Sequence, residues 1–184
     1  PMWRAARAAS FESGRSTRLV PPPAMHSELV ALRLVHVLGG ISWAGSALFL
    51  TVFLGPALAA SGPNAGPVMA QLKARRLVAF MPTVALLTIA SGLRLMWLTS
   101  GGFTASYFAT PHGLAFSFAG ATAIVGFFFA MLVLRPTQDR MAQLAQSLLK
   151  VAEEQRAAIA QELAVVRRRN AWASATSLVM LAIG

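Results

Sequence analysis

Apolar residues run almost unbroken from Leu34 to Leu58, and with their flanks they define a first helical segment over about 29–59. About 20 apolar residues cross the hydrocarbon core of a bilayer, so this segment spans one with tilt or an overhang. Pro56 lies near its end, where a kink or stop is cheap. Ser61 to Pro67 is rich in Gly, Pro, Ser and Asn and reads as a loop. A second apolar run covers 77–98, with Pro82 in its first turns, Arg94 in its last third and Ser100-Gly101-Gly102 as its stop. Thr110-Pro111 has the form of an N-cap followed by proline at the first helical position. The third span is therefore 111–134, ending at Arg135-Pro136.

Beyond it the pattern changes. Residues 137–170 are polar but helix-prone, and Met141, Leu144, Leu148 and Val151 recur at helical spacing. Ile159, Leu163 and Val166 repeat the spacing. Two forms fit: a stalk made by extending the third and fourth helices, or a helix lying on the membrane surface. The stalk is preferred, because no strong turn signal breaks the stretch. A fourth apolar run starts near Trp172 and continues to Gly184, too short by itself to cross. The fold expected is all-α: an integral membrane four-helix bundle with a truncated fourth helix and a cytoplasmic helical hairpin between helices three and four. Residues 25–184 form its single transmembrane domain. Residues 1–24 are rich in Arg, Ala and Ser and close on Pro21-Pro22-Pro23, so they read as a disordered basic tail or as upstream translation before Met25.

Composition supports the membrane setting. The chain is 56% hydrophobic and 12% charged, about half the charged fraction usual for a soluble domain. A soluble protein this apolar would expose large greasy patches. The net charge of +10 would point to nucleic acid in a soluble chain, but here the basic residues flank apolar spans, where topology and anionic head groups account for them. Lys73, Arg75 and Arg76 lie between the first two spans, no charge lies between the second and third, and Arg167-Arg168-Arg169 precede the fourth. The positive-inside rule then makes the first and third loops cytoplasmic and the N-terminus external, in the cell membrane. The four arginines of residues 1–24 run against this orientation, and a start at Met25 would remove the conflict. The expected partners are the lipid bilayer and other membrane proteins or a second copy, not nucleic acid.

Ionisable groups within a span are costly and mark functional positions. Arg33, His36, Gly40, Trp43 and Ala47 share one face of the first helix. Helix rise puts His36 roughly 10 Å and Arg94 roughly 9 Å below the outer boundary, and His112 only roughly 2 Å in. A neutral imidazole suits haem iron, and an arginine fork suits a propionate carboxylate. Small residues beside His36 would admit a flat macrocycle. The candidate cofactor-binding set is thus His36, Arg94, His112, Gly40 and Trp43, with His36 as the metal ligand. His36 and His112 differ in depth by about 8 Å on the same arithmetic, so a single ligand is easier to build than a pair. The alternatives are copper held by His36, His112 and Met96, or no cofactor, with His36 hydrogen-bonding between helices. No G-x-S-x-G, P-loop or H-E-x-x-H motif occurs, the spans hold no Asp or Glu, and no catalytic residue is assigned.

The stretch Leu32-Arg33-Leu34-Val35-His36-Val37-Leu38-Gly39-Gly40-Ile41-Ser42-Trp43-Ala44-Gly45 resembles the first helix of the copper-resistance protein D (CopD) group. The haem-binding, bacterial protoporphyrinogen-oxidase-like membrane proteins share a similar opening: a histidine, small residues, then Trp-x-Gly. Ala90-Ser91-Gly92-Leu93 is similar to the end of their second helix, and Leu134-Arg135-Pro136 to the exit of a third. The resemblance implies a four-helix membrane fold and carries over one position, His36, as a haem or metal ligand. The long charged segment after the third span departs from the oxidase-like pattern, which weighs against that enzymatic activity.

Overall fold

The computed structural model describes residues 23–62 and 65–183. The chain divides into residues 1–31 and 32–184, and the described part of the first unit is the opening turns of α1. Along the chain α1 covers Pro23–Phe49, α2 Gly55–Ala60, α3 Ala65–Ala74, α4 Leu77–Thr99, α5 Ala105–Phe108, α6 Pro111–Phe129, α7 Arg135–Leu148 and α8 Glu153–Ile183. All regular structure among the described residues is helical. The tail expected over 1–24 lies outside the described residues, except for Pro23 and Ala24, which open α1. Part of the loop expected over 61–67 is helix, since α3 already starts at Ala65.

Three continuous helical stretches are long and apolar enough to cross a membrane: Met25–Ala60, Leu77–Thr99 and Pro111–Leu148. Two of them are carried past a proline by the same device. π-helical turns occupy Leu50–Leu54 and Ala130–Leu134, and each is followed by one residue and then a proline, Gly55-Pro56 and Arg135-Pro136. Proline has no N–H to give, and its ring crowds the carbonyl four residues back. In these turns the bond reaches five residues back, from Gly55 N–H to the Leu50 carbonyl and from Arg135 N–H to the Ala130 carbonyl. The widened turn makes room for the ring, and the helix goes on. The third apolar span closes at Arg135-Pro136, but the helix does not, in keeping with the extension expected of it. It continues through α7 to Leu148.

The exposure pattern is inverted relative to a water-soluble fold. Large apolar side chains face outward along every long apolar helix, among them Leu38, Ile41, Leu86, Phe118 and Leu132. The few buried positions include Thr88, Ser91 and Ser177. An apolar exterior of this extent fits a lipid environment. Hydroxyls within the spans are satisfied by their own helix: Thr83 Oγ1 donates to the Ala79 carbonyl, Ser117 Oγ to Gly113 and Thr122 Oγ1 to Phe118. Such back-bonding keeps a polar group tolerable in hydrocarbon.

The helices meet through small residues. Helix α4 packs on α6, and α6 packs on α8. Gly126 is buried on α6, and a Cβ there would stand 3.4 Å from the Cβ of Met180 on α8. Farther along, Arg140 of α7 pairs with Glu162 of α8 at 2.6 Å. The contact advances along α6 and α7 as it retreats along α8, so the two run antiparallel. Leu144 and Leu163 are buried on these helices. The reversal between α7 and α8 uses Leu149 to Ala152, none of them Gly or Pro. Glu153 and Glu154 open α8, where carboxylates oppose the positive end of the helix dipole.

Candidate functional site

His36 lies on α1, four turns before the π-turn, and its ring faces α4. Its Nδ1 is 2.8 Å from the backbone carbonyl oxygen of Thr88. A carbonyl oxygen only accepts, so Nδ1 carries the proton and donates. In the neutral ring this leaves Nε2 as the unprotonated nitrogen. Ser91 Oγ stands 3.5 Å from the same Nδ1 and donates its own proton to the Leu87 and Thr88 carbonyls, at 2.6 and 3.0 Å.

Glycines bring the two helices this close. A Cβ at Gly92 would lie 2.7 Å from His36 Cε1, and a Cβ at Gly39 would lie 2.6 Å from Thr88 Oγ1. The imidazole therefore packs directly against the α4 backbone at Gly92. Thr88 fills the notch at Gly39, and its Oγ1 donates to the Val84 carbonyl at 2.8 Å. Gly40 meets the Thr88 methyl at ordinary contact distance, 3.7 Å from an added Cβ. The small residues of α1, which suit close approach by another helix or by a flat cofactor, meet α4 at Gly39 and Gly40. Trp43, one turn on, is 7% exposed and belongs to the core.

The other sequence-derived positions fall elsewhere. Arg94 follows Gly92 by two residues on α4, about 3 Å farther along the axis, and is exposed. His112 sits on the first turn of α6, exposed, with its ring centroid 5.8 Å from that of Phe116. The residues meeting His36 lie about 10–16 Å in from the Thr99 end of α4 by helix rise. His112 instead follows directly on the loop leaving that end. His36 and His112 thus meet different levels of the α4–α6 region along the chain. Met96 lies on α4 between Arg94 and the aromatic cluster of Trp97, Phe103 and Phe108, in which the Trp97 and Phe103 centroids are 5.2 Å apart. Among the described residues, no three His, Cys, Asp or Glu side chains converge to hold a metal ion.

Of the residues meeting His36, Ser91 and Gly92 lie in the Ala90–Leu93 motif quoted from the sequence, but Thr88 was not singled out. Thr88 acts through its carbonyl, which every residue possesses, and only the Ala85, Thr88, Ser91, Gly92 spacing marks a small, weakly polar face on α4. Asn170 was also unsignalled: its Oδ1 is buried and has no hydrogen-bond partner. No protein-family model matches the chain, and no curated protein or solved structure matches it either.

Proposed function

We propose that this chain is a multi-pass membrane protein of the cell membrane, built as a four-helix bundle with α7 and the first half of α8 as a cytoplasmic hairpin, that binds a b-type haem through His36 Nε2 and serves a redox-associated role. One observation carries the reading: the 2.8 Å bond from His36 Nδ1 to the Thr88 carbonyl. Metal-ligating histidines commonly donate their second ring N–H to a carbonyl or carboxylate, which fixes the tautomer and raises the basicity of the ligating nitrogen. His36 has that arrangement within a span. The donor set suits a single axial imidazole. Arg94, on the same helix as the anchoring carbonyl, would supply a guanidinium suited to a propionate carboxylate. A bound haem would supply one-electron redox chemistry, tuned by the axial ligand and by burial. The resemblance of His36 to Gly45 to CopD-like and protoporphyrinogen-oxidase-like proteins points the same way. The basic residues flanking the spans favour an external N-terminus.

A second reading rests on the packing of Gly39 against Thr88 and of Gly92 against His36. In it His36 is an interhelical clamp in a structural or assembly subunit. Copper held by His36, His112 and Met96 has less support, because His112 sits on a different helix at the head of its first turn.

The test is a reduced-minus-oxidised absorbance spectrum of the protein purified in detergent, with metal analysis. A haem band lost in His36→Ala, and shifted in midpoint potential in His36→Met, supports haem ligation. Copper without haem supports the copper reading. A colourless, metal-free protein after growth with added haem precursor supports the clamp.

A further inference from the structure

We infer that the groove between α6 and α8 at Arg168, Arg169 and Trp172 is a binding site for one anionic phospholipid of the surrounding leaflet. The groove has two unlike walls. Phe129 and Val133 come from the end of α6 and its π-turn, while Val165, Arg168, Arg169 and Trp172 come from α8. An apolar floor therefore meets two guanidinium groups within a single open cleft.

The level of this cleft matches a head-group region. From Pro111, where α6 begins, to Val133 the helix rises about 33 Å, close to the thickness of a bilayer core. The arginines stand beside that far end. Trp172, one turn beyond them towards the apolar end of α8, is 70% exposed. An exposed indole at this level is the usual interfacial anchor. Leu132, neighbouring the floor, is 73% exposed and offers a continuing apolar track for an acyl chain.

Charge decides what occupies it. Among the described residues, the ion pairs of this region join Arg140 to Glu162 and Arg156 to Glu153. Neither involves Arg168 or Arg169. Two arginines lining one cleft at a membrane surface, neither in an ion pair among the described residues, favour a phosphate-bearing head group by charge. A free inorganic anion would have no use for the Phe129–Val133 floor. A zwitterionic lipid would bring its own cation to the arginines. An anionic phospholipid satisfies both walls.

The test uses the full chain in lipid nanodiscs. Trp172 emission is isolated as the difference between wild type and Trp172→Phe, and quenching by dibromo-phosphatidylglycerol is compared with quenching by dibromo-phosphatidylcholine. The site predicts half-quenching at about a tenfold lower mole fraction of the anionic lipid. That preference falls to near unity in R168Q/R169Q and persists in R168K/R169K and in R75Q/R76Q, which removes equal charge elsewhere. Far-UV circular dichroism confirms that each variant keeps its helix content. Equal quenching by both lipids in the wild type would overturn the proposal. So would equal loss of preference in R75Q/R76Q, which would mean that net charge alone attracts the lipid.

Discussion

His36 Nδ1 and the Thr88 carbonyl oxygen, 52 positions apart in sequence, lie 2.8 Å from each other and tie α1 to α4 by one side-chain bond. Interhelical bonds of this kind contribute about 1 kcal/mol in membranes. His36→Ala is therefore expected to lower the thermal midpoint of the detergent-solubilised protein, while His36→Asn, which keeps a donor, loses less. An unchanged midpoint in His36→Ala would mean that α1 and α4 are held without this contact.

The same interface predicts a contrast between two glycines. Gly92→Ala places a methyl 2.7 Å from His36 Cε1, so the imidazole or the helix must move, whereas Gly45 has no atom within 4 Å of an added Cβ. Overpacking a fitted interface costs about 1–3 kcal/mol. Thermal unfolding should show Gly92→Ala clearly destabilised and Gly45→Ala close to wild type. Equal effects at both positions would contradict the close approach at Gly92.

The antiparallel packing of α6 and α8 can be tested by a cross-link. The chain contains no cysteine, so an engineered pair forms without competition. A Cβ at Gly126 would be 3.4 Å from the Cβ of Met180, near the separation of about 3.5–4.5 Å found in disulfides. G126C/M180C should oxidise to an intramolecular disulfide in membranes, detected by mass spectrometry. G126C paired with L178C, which lies on another face of α8, should cross-link far less. Reversal of that order would require a different α8 register.

Much of this architecture was legible in the sequence. The spans at 29–59, 77–98 and 111–134 correspond to helices at Pro23–Ala60, Leu77–Thr99 and Pro111–Leu134, because long apolar runs admit one secondary structure in lipid. Thr110 caps α6 as its sequence implied, accepting from Gly113 N–H at 3.0 Å. What escaped was how the chain passes its prolines. The extension of the third helix beyond Pro136 was expected, but the π-turn that lets the chain pass this proline has no local signature in the sequence. The reversal at Leu149 to Ala152 carries no turn residues, although Glu153-Glu154 marks the helix start behind it. At the candidate site His36 was visible as an ionisable group in a span. Its anchor was not, since a backbone carbonyl has no sequence signature. Fitting glycines do not reveal from sequence whether a helix or a cofactor will fill them.

The ring state of His36 is the point on which the site depends. Selective ¹⁵N-histidine labelling of the detergent-solubilised protein, read by long-range ¹H–¹⁵N correlation, reports which ring nitrogen bears the proton. Nδ1 should give the protonated, pyrrole-type shift and Nε2 the bare, pyridine-type shift, and this assignment should vanish from the spectrum of His36→Ala. A His36 with its proton on Nε2 would contradict the account, because the Thr88 carbonyl could not then hold Nδ1 and the nitrogen offered to a ligand would be the wrong one.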